Sequence, residues 1–319
     1  MSELRPLGTT GLSVAPLIVG GNVFGWTIDE ATSFAVLDAF MAGGTTMIDT
    51  ADVYSAFVPG NVGGESETII GRWMKARGNR AAVQIATKVG MLPVHGQKGL
   101  KPSVIIEGIE ASLRRLQTDY VDLYYAHSDA DLADQEATAE AFDRLVGAGK
   151  ARAVAASNFS QDRLASALDI SARNGLARYG ALQPHFNLMA EEQFPAVYRD
   201  FCRDNQIGTL AYYALAAGFL TGKYRSADEV TGTPRARALG GMFNARGEKV
   251  LAALDRVAEE SGASLAQIAL AWVMTTPGMT GAIASATSLE QVEGLIPAMT
   301  LKLDAAQMAA LDEAAATPI

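Results

Sequence analysis

Eight short runs rich in apolar and β-branched residues recur along this chain, and a longer amphipathic stretch follows nearly every one. The runs sit near Ala15 to Gly20, Thr45 to Ile48, Val83 to Ala86, Val121 to Ala126, Ala153 to Ala156, Gly180 to Leu182, Ile207 to Ala211 and Gly281 to Ala284. Helical patterns lie between them at Asp29 to Ala42, Glu65 to Arg77, Pro102 to Leu116, Glu136 to Ala148, Ser160 to Arg173 and Glu192 to Asp204. A strand buried on both faces loses the apolar–polar alternation, and one helix after each such strand predicts a parallel sheet. Pro102 marks a first helical turn, Ser160 a cap, and Gly43-Gly44 a stop.

Eight such units predict an α/β fold of the (β/α)8 TIM-barrel type, and 319 residues suffice for one barrel as a single domain over 1–319. The alternation breaks between the seventh and eighth strands, where Gly218 to Asn244 is rich in Gly, Arg and Thr and precedes two helices, about Ala245 to Glu260 and Ser264 to Thr275. This long insert is expected to be a surface loop over one barrel face. An open doubly wound sheet is the competing arrangement, but its dinucleotide fingerprint is missing: Gly20-Gly21-Asn22-Val23-Phe24-Gly25 has the wrong spacing. Neither Gly147-Ala148-Gly149-Lys150 nor Gly222-Lys223-Tyr224 completes a phosphate-binding P-loop.

A formal net charge of −9 argues against nucleic acid and anionic membranes as partners. A small molecule is the expected partner, and oligomeric state is left open. With Cys202 as the one cysteine, no intramolecular disulfide or thiolate metal cage can form. The amino terminus reads as no export signal and no apolar run reaches membrane-spanning length, so a cytoplasmic location is expected.

In such a barrel, function sits where strands end and loops begin. The second strand runs into Ile48-Asp49-Thr50-Ala51-Asp52-Val53-Tyr54, the third into Thr87-Lys88, and the fourth into His127-Ser128-Asp129. A phenol is a poor proton donor at neutral pH, but a nearby ammonium favours the phenolate. Lys88 can supply that charge, Asp49 can hold Lys88 charged, His127 can donate a hydrogen bond to a substrate oxygen, and Tyr54 can act as the general acid/base. Singly these residues have bland readings, a cap or loop ion pair for Asp49 and half-buried packing for Tyr54. Together they favour chemistry. His95 reads as a solvated or rim residue and His185 as a satisfied core or loop histidine, neither as a metal ligand; no metal site is expected.

The segments IDTADVY, IATKVG, YYAHSD, ASNFS and LAAGFLTGKY resemble, in order and spacing over nearly the whole chain, those of the aldo-keto reductase superfamily. The resemblance implies an NAD(P)(H)-dependent oxidoreductase of aldehydes, ketones or the corresponding alcohols, with the tetrad Asp49, Tyr54, Lys88 and His127. It implies a nicotinamide held by Ser157, Asn158 and Gln183 and stacked on Tyr212, with Asp49 and Gly21 also at the cofactor. It places Leu215 to Lys223, including Gly218, over the pyrophosphate, and Ser285, Thr287 and Gln291 at the adenosine end. Phe24, Trp26 and Phe57, with Met91 and the insert over 224–243, are expected to line an apolar substrate pocket.

The chain departs from the superfamily pattern in two places. Tyr212-Tyr213-Ala214-Leu215 stands where many relatives read Tyr-Ser-Pro-Leu. Around the last strand the usual Lys or Arg is replaced within Ser285-Ala286-Thr287-Ser288, and Leu295 occupies the position of an Asn. The grip on a 2′-phosphate is therefore weakened, yet NADP(H) is expected to remain modestly favoured over NAD(H) if Lys223, Arg225 or Arg246 reaches across. A competing reading keeps the barrel and the cofactor but makes the chain a cofactor-sensing regulatory subunit.

Overall fold

The computed structural model describes residues 3–130, 132–232 and 236–318. A short hairpin, β1 (Arg5–Pro6) and β2 (Ser13–Val14), opens the chain. Eight parallel strands then close on themselves: β3 (Leu17–Gly20), β4 (Met47–Asp49), β5 (Gln84–Val89), β6 (Val121–Ala126), β7 (Ala151–Ser157), β8 (Tyr179–Gln183), β9 (Gly208–Ala211) and β10 (Gly281–Ala284), with β10 pairing both β9 and β3. The helices α1 (Glu30–Ala42), α2 (Glu65–Arg77), α3 (Pro102–Leu116), α4 (Gln135–Gly147), α5 (Gln161–Asn174) and α6 (Ala196–Asp204) each link two strands.

Two cores follow from this closure. Alternate strand residues point inward, among them Ile18, Met47, Leu123, Tyr125, Leu210 and Ile283, and fill the barrel. The others face the helices in a larger shell containing Trp73, Phe142, Phe186 and Trp272. Leu7 and Val14 of the hairpin join the inner cluster and cork the end where the strands begin. Gly8 makes that fit possible. Its φ is +54°, and a Cβ there would stand 2.2 Å from the Gly180 carbonyl oxygen and 2.3 Å from the Gly208 amide nitrogen.

Two elements differ from the sequence expectation. The helix expected from Glu192 begins at Ala196, because Pro195 disfavours helical backbone at Phe194 and takes the N-cap position itself (φ −66°, ψ 162°). The insert expected as a loop contains two single-turn helices, α7 (Ala227–Val230) and α8 (Ala236–Leu239), pinned by the buried Val230 and Leu239. Residues 233–235 of the insert lie outside the described residues. The remaining helices are α9 (Ala245–Ser261), α10 (Leu265–Thr275), α11 (Leu289–Leu295) and α12 (Ala305–Ala315). Among the described residues no helix is long and apolar enough to cross a membrane.

Candidate active site

Past its last strand residue β4 stays alongside β5. The Thr50 amide donates to the Ala86 carbonyl at 2.8 Å and the Asp52 amide to the Lys88 carbonyl at 3.2 Å, so the segment carrying Tyr54 is laid against the strand carrying Lys88. A turn through Ser55 (φ +69°), whose Oγ donates to the Phe24 carbonyl at 2.9 Å, brings the phenol back over the barrel mouth.

Lys88 is fully buried. An ammonium has three protons to give, and all are placed: Nζ donates to Asp49 Oδ2 at 2.6 Å, to the Thr50 carbonyl at 2.8 Å and to the Tyr54 hydroxyl at 2.9 Å. Asp49 accepts at its other oxygen from Gln183 Nε2 at 2.8 Å. The phenol oxygen thus accepts from Lys88, and Asp49 Oδ2 at 3.5 Å is a distant acceptor for its proton. That proton is available to a group bound above.

Burial opposes the Lys88 charge, but Asp49 and the phenol more than offset it and raise the ammonium's pKa. For Tyr54 the balance corrects the sequence-based picture. Burial raises the phenol's pKa by more than Lys88 lowers it, and Asp49 adds to the rise, so the resting side chain is a phenol. His127 lies edge-on to Tyr54, with ring centroids 6.3 Å apart. Burial, reinforced by the Lys88 charge, holds its pKa well below the ordinary imidazole range, and it is a neutral ring at neutral pH. Its Nδ1 is buried and has no hydrogen-bond partner among the described residues, which leaves Nε2 as the polar atom able to meet a ligand.

A second polar chain crosses the ends of β7, β8 and β9. Ser157 Oγ donates to the Gln183 carbonyl at 3.0 Å, while Asn158 Nδ2 donates to the His127 carbonyl at 2.9 Å and to Ser157 Oγ at 3.1 Å. The Tyr212 hydroxyl donates to Asn158 Oδ1 at 2.8 Å. The tetrad and this chain form one connected network, because Gln183 holds Asp49 and Asn158 holds the backbone of His127.

Comparison with known proteins decides the ancestry of this arrangement: the family model described as "Aldo/keto reductase family" matches residues 16–316. The chain belongs to the aldo/keto reductase family. It is 34% identical to Aldo-keto reductase YhdN of Bacillus subtilis (strain 168), over 92% of this chain and 87% of that protein. It is 31% identical to an uncharacterized oxidoreductase, YrpG, of the same organism, over 95% and 92% of the two chains. A probable voltage-gated potassium channel subunit beta of Oryza sativa subsp. japonica is 30% identical over 91% of this chain and 89% of its own. Members of the family are oxidoreductases that use nicotinamide cofactors on small carbonyl compounds.

A nicotinamide fits the residues of this aldo/keto reductase: Asn158 Oδ1 keeps a second lone pair for a carboxamide N–H, and the Tyr212 ring lies at the same rim. Beyond Tyr212 the backbone turns through Ala216, Ala217 and Gly218 at φ of +47°, +56° and +99°, with the Ala216 and Gly218 amides donating back to the Tyr213 and Leu215 carbonyls at 2.7 and 2.8 Å. Ser285 Oγ donates to Asn22 Oδ1 at 2.5 Å. Thr287 donates through its amide (2.8 Å) and hydroxyl (3.2 Å) to Gln291 Oε1, so these two expected adenosine contacts form one unit. Gly21 has a packing reason of its own, since a Cβ there would stand 3.0 Å from both the Asp49 carbonyl oxygen and Ser66 Oγ.

Other expectations need correction. Phe24 is fully buried in the outer core and offers no pocket surface. Trp26 and Phe57 meet edge to face at 5.1 Å, and Phe57 and Met91 are 62% and 42% exposed. Arg225 is held by Asp255 through both carboxylate oxygens, at 2.8 and 2.9 Å. Arg246 is buried and donates to the carbonyls of Thr317 and Met189 and to Glu192. Neither arginine is free to meet a 2′-phosphate. Lys223 is exposed and lies 5.3 Å from the Tyr224 ring centre.

Three features escaped the sequence reading. The Thr50 carbonyl that takes the third Lys88 proton is invisible in a side-chain list. A buried carboxylate, Glu67, accepts from Thr87 Oγ1 at 2.5 Å and Arg115 Nε at 2.6 Å, tying α2 and α3 to the strand residue next to Lys88. His185 stacks on Tyr212. The sequence signal for Glu67 was available, a carboxylate among the apolar positions of α2.

Proposed function

We propose that this single-domain barrel transfers hydride between NAD(P)(H) and the carbon of an aldehyde or ketone, or of the corresponding alcohol, with Tyr54 as the general acid/base. The observation that carries the reading is the Lys88 ammonium, its three protons committed to Asp49, the Thr50 carbonyl and the Tyr54 hydroxyl. No packing role asks for a buried cation aimed at a phenol.

The cofactor, when bound, supplies or accepts the hydride. Asn158, Gln183 and Ser157 fix which ring face is offered. In reduction Tyr54 gives its proton to the carbonyl oxygen, and His127, neutral, hydrogen-bonds the same oxygen through Nε2. In oxidation Tyr54 takes the alcohol proton, and Lys88 stabilises the phenolate needed to do so. Trp26, Phe57 and Met91 present apolar surface to the substrate. With Arg225 and Arg246 committed elsewhere, the grip on a 2′-phosphate falls to Lys223 with Thr287. We therefore expect both cofactors to be used, with NADP(H) at most modestly favoured. The buried Cys202 suits a reducing cytoplasm.

A second reading, a cofactor-sensing regulatory subunit, draws on the 30% identity to the rice channel subunit. Both are tested by assaying the purified chain against a panel of aldehydes, ketones and alcohols with NADPH, NADH and their oxidised forms. Turnover that Tyr54→Phe abolishes supports the enzyme. Tight cofactor binding without turnover on any member supports the regulatory subunit.

A further inference from the structure

Tyr212 is positioned from three sides. Its backbone is paired with the segment after β8, since the Tyr212 amide donates to the Pro184 carbonyl at 3.0 Å. Its hydroxyl is held by Asn158 Oδ1. One face of its ring is covered by His185, with ring centroids 5.2 Å apart and planes inclined by 19°. A β-bridge between residues 185 and 212 sets the two side chains next to each other. The stack itself is fixed: His185 lies edge-on to Tyr213 at 5.5 Å, and its Nε2 is 3.4 Å from Asn187 Nδ2, which donates to the Tyr213 carbonyl at 2.9 Å. The sequence reading gave His185 no role beyond a satisfied core or loop histidine.

We infer that His185 is a positioning residue for the nicotinamide end of the cofactor, fixing the plane of Tyr212 so that the opposite face of that ring receives the nicotinamide. The inference rests on the proposed stacking role of Tyr212. The hydroxyl contact alone does not fix the ring plane, because the phenol oxygen lies on the axis about which the ring turns. The imidazole stack is what keeps the phenol ring from rotating about that axis. Burial pushes His185 below its ordinary pKa against the opposing pull of Glu192, the charged group that acts on it, while Tyr212, Tyr213 and Asn187 face it as neutral groups. The backing ring is therefore uncharged at neutral pH, which suits an oxidised nicotinamide that itself carries positive charge.

The test titrates NADP+ and NAD+ into the wild-type chain and into His185→Ala, His185→Phe and Tyr212→Ala, following quenching of protein fluorescence. ADP-ribose and 2′-phospho-ADP-ribose, which lack the nicotinamide, are titrated in parallel. His185→Ala is expected to weaken the two dinucleotides about two- to tenfold, the scale of one aromatic pair, and to leave the two fragments unchanged. His185→Phe, which keeps a flat ring in place, is expected to restore most of the loss. Dinucleotide affinity that is unchanged or tighter in His185→Ala, beside a loss in Tyr212→Ala, overturns this inference alone. Equal losses for fragments and dinucleotides overturn it too, since they mean general damage to the site. Unaltered dinucleotide affinity in Tyr212→Ala removes the stacking surface and this inference with it.

Discussion

Replacing Lys88 by Met removes the buried ammonium while keeping a side chain of similar length, and the geometry says how unevenly the loss should fall. At an effective dielectric constant of about 20, a phenolate on Tyr54 is attracted to Nζ at 2.9 Å by about 6 kcal/mol and repelled by Asp49 Oδ2 at 3.5 Å by about 5 kcal/mol. The pair together thus favours the phenolate by only about 1 kcal/mol, and burial decides the net direction. Removing Lys88 alone leaves the repulsion without the attraction. We expect Lys88→Met to move the basic limb of the reductive pH profile far upward and to suppress alcohol oxidation, which needs the phenolate, much more than carbonyl reduction. Adding Asp49→Asn removes the repulsion as well, and the basic limb should return close to its wild-type position. The assay is kcat in both directions across neutral to alkaline pH, read from nicotinamide absorbance, for wild type, each single variant and the double variant. A basic limb that stays in place in Lys88→Met, or a double variant no closer to wild type than the single one, refutes the electrostatic reasoning.

Tyr54→Phe should lower kcat at least about a hundredfold with cofactor affinity little changed, because it deletes the proton donor and keeps the ring; single-turnover hydride transfer at near-normal rate would contradict this. Tyr212→Ala should weaken NAD(P)+ binding by about 1 kcal/mol in a fluorescence titration, with an unchanged melting temperature. Thr287→Arg should shift the ratio of kcat/KM values toward NADPH, since a guanidinium supplies the charged partner a 2′-phosphate lacks among the paired arginines; an unmoved ratio would mean that the adenosine end lies elsewhere.

The strands were readable because closure of the barrel buries them on both faces, which turns each into an apolar run such as Val121–Ala126 and makes the polar residue at its end conspicuous. Asp49, Lys88 and His127 stood out for that reason. Readings that depended on a partner distant in sequence fared worse. Arg225 and Arg246 looked like free cations because Asp255, Glu192 and the Thr317 carbonyl find them only in three dimensions. Phe24 looked like a pocket residue because a run of loop residues does not say which side chain turns inward. The phenol's pKa was misjudged because a sequence shows the cation and its carboxylate but neither the depth of burial nor how near Asp49 comes to the phenol oxygen. The β1–β2 hairpin was missed because its strands have two residues each, too few for any periodicity.

The way Lys88 spends its protons bears on how such a barrel changes its diet. A cation with no hydrogen bond left to give cannot be recruited by whatever binds above it, so the proposed acid/base pair is insulated from the substrate. Trp26, Phe57 and Met91, the residues proposed to meet the substrate, lie on loops outside that closed circuit, and exchanging them leaves the setting of the Tyr54 hydroxyl intact. Selection, or an engineer, can therefore rewrite specificity at the rim while the same phenol serves each new substrate.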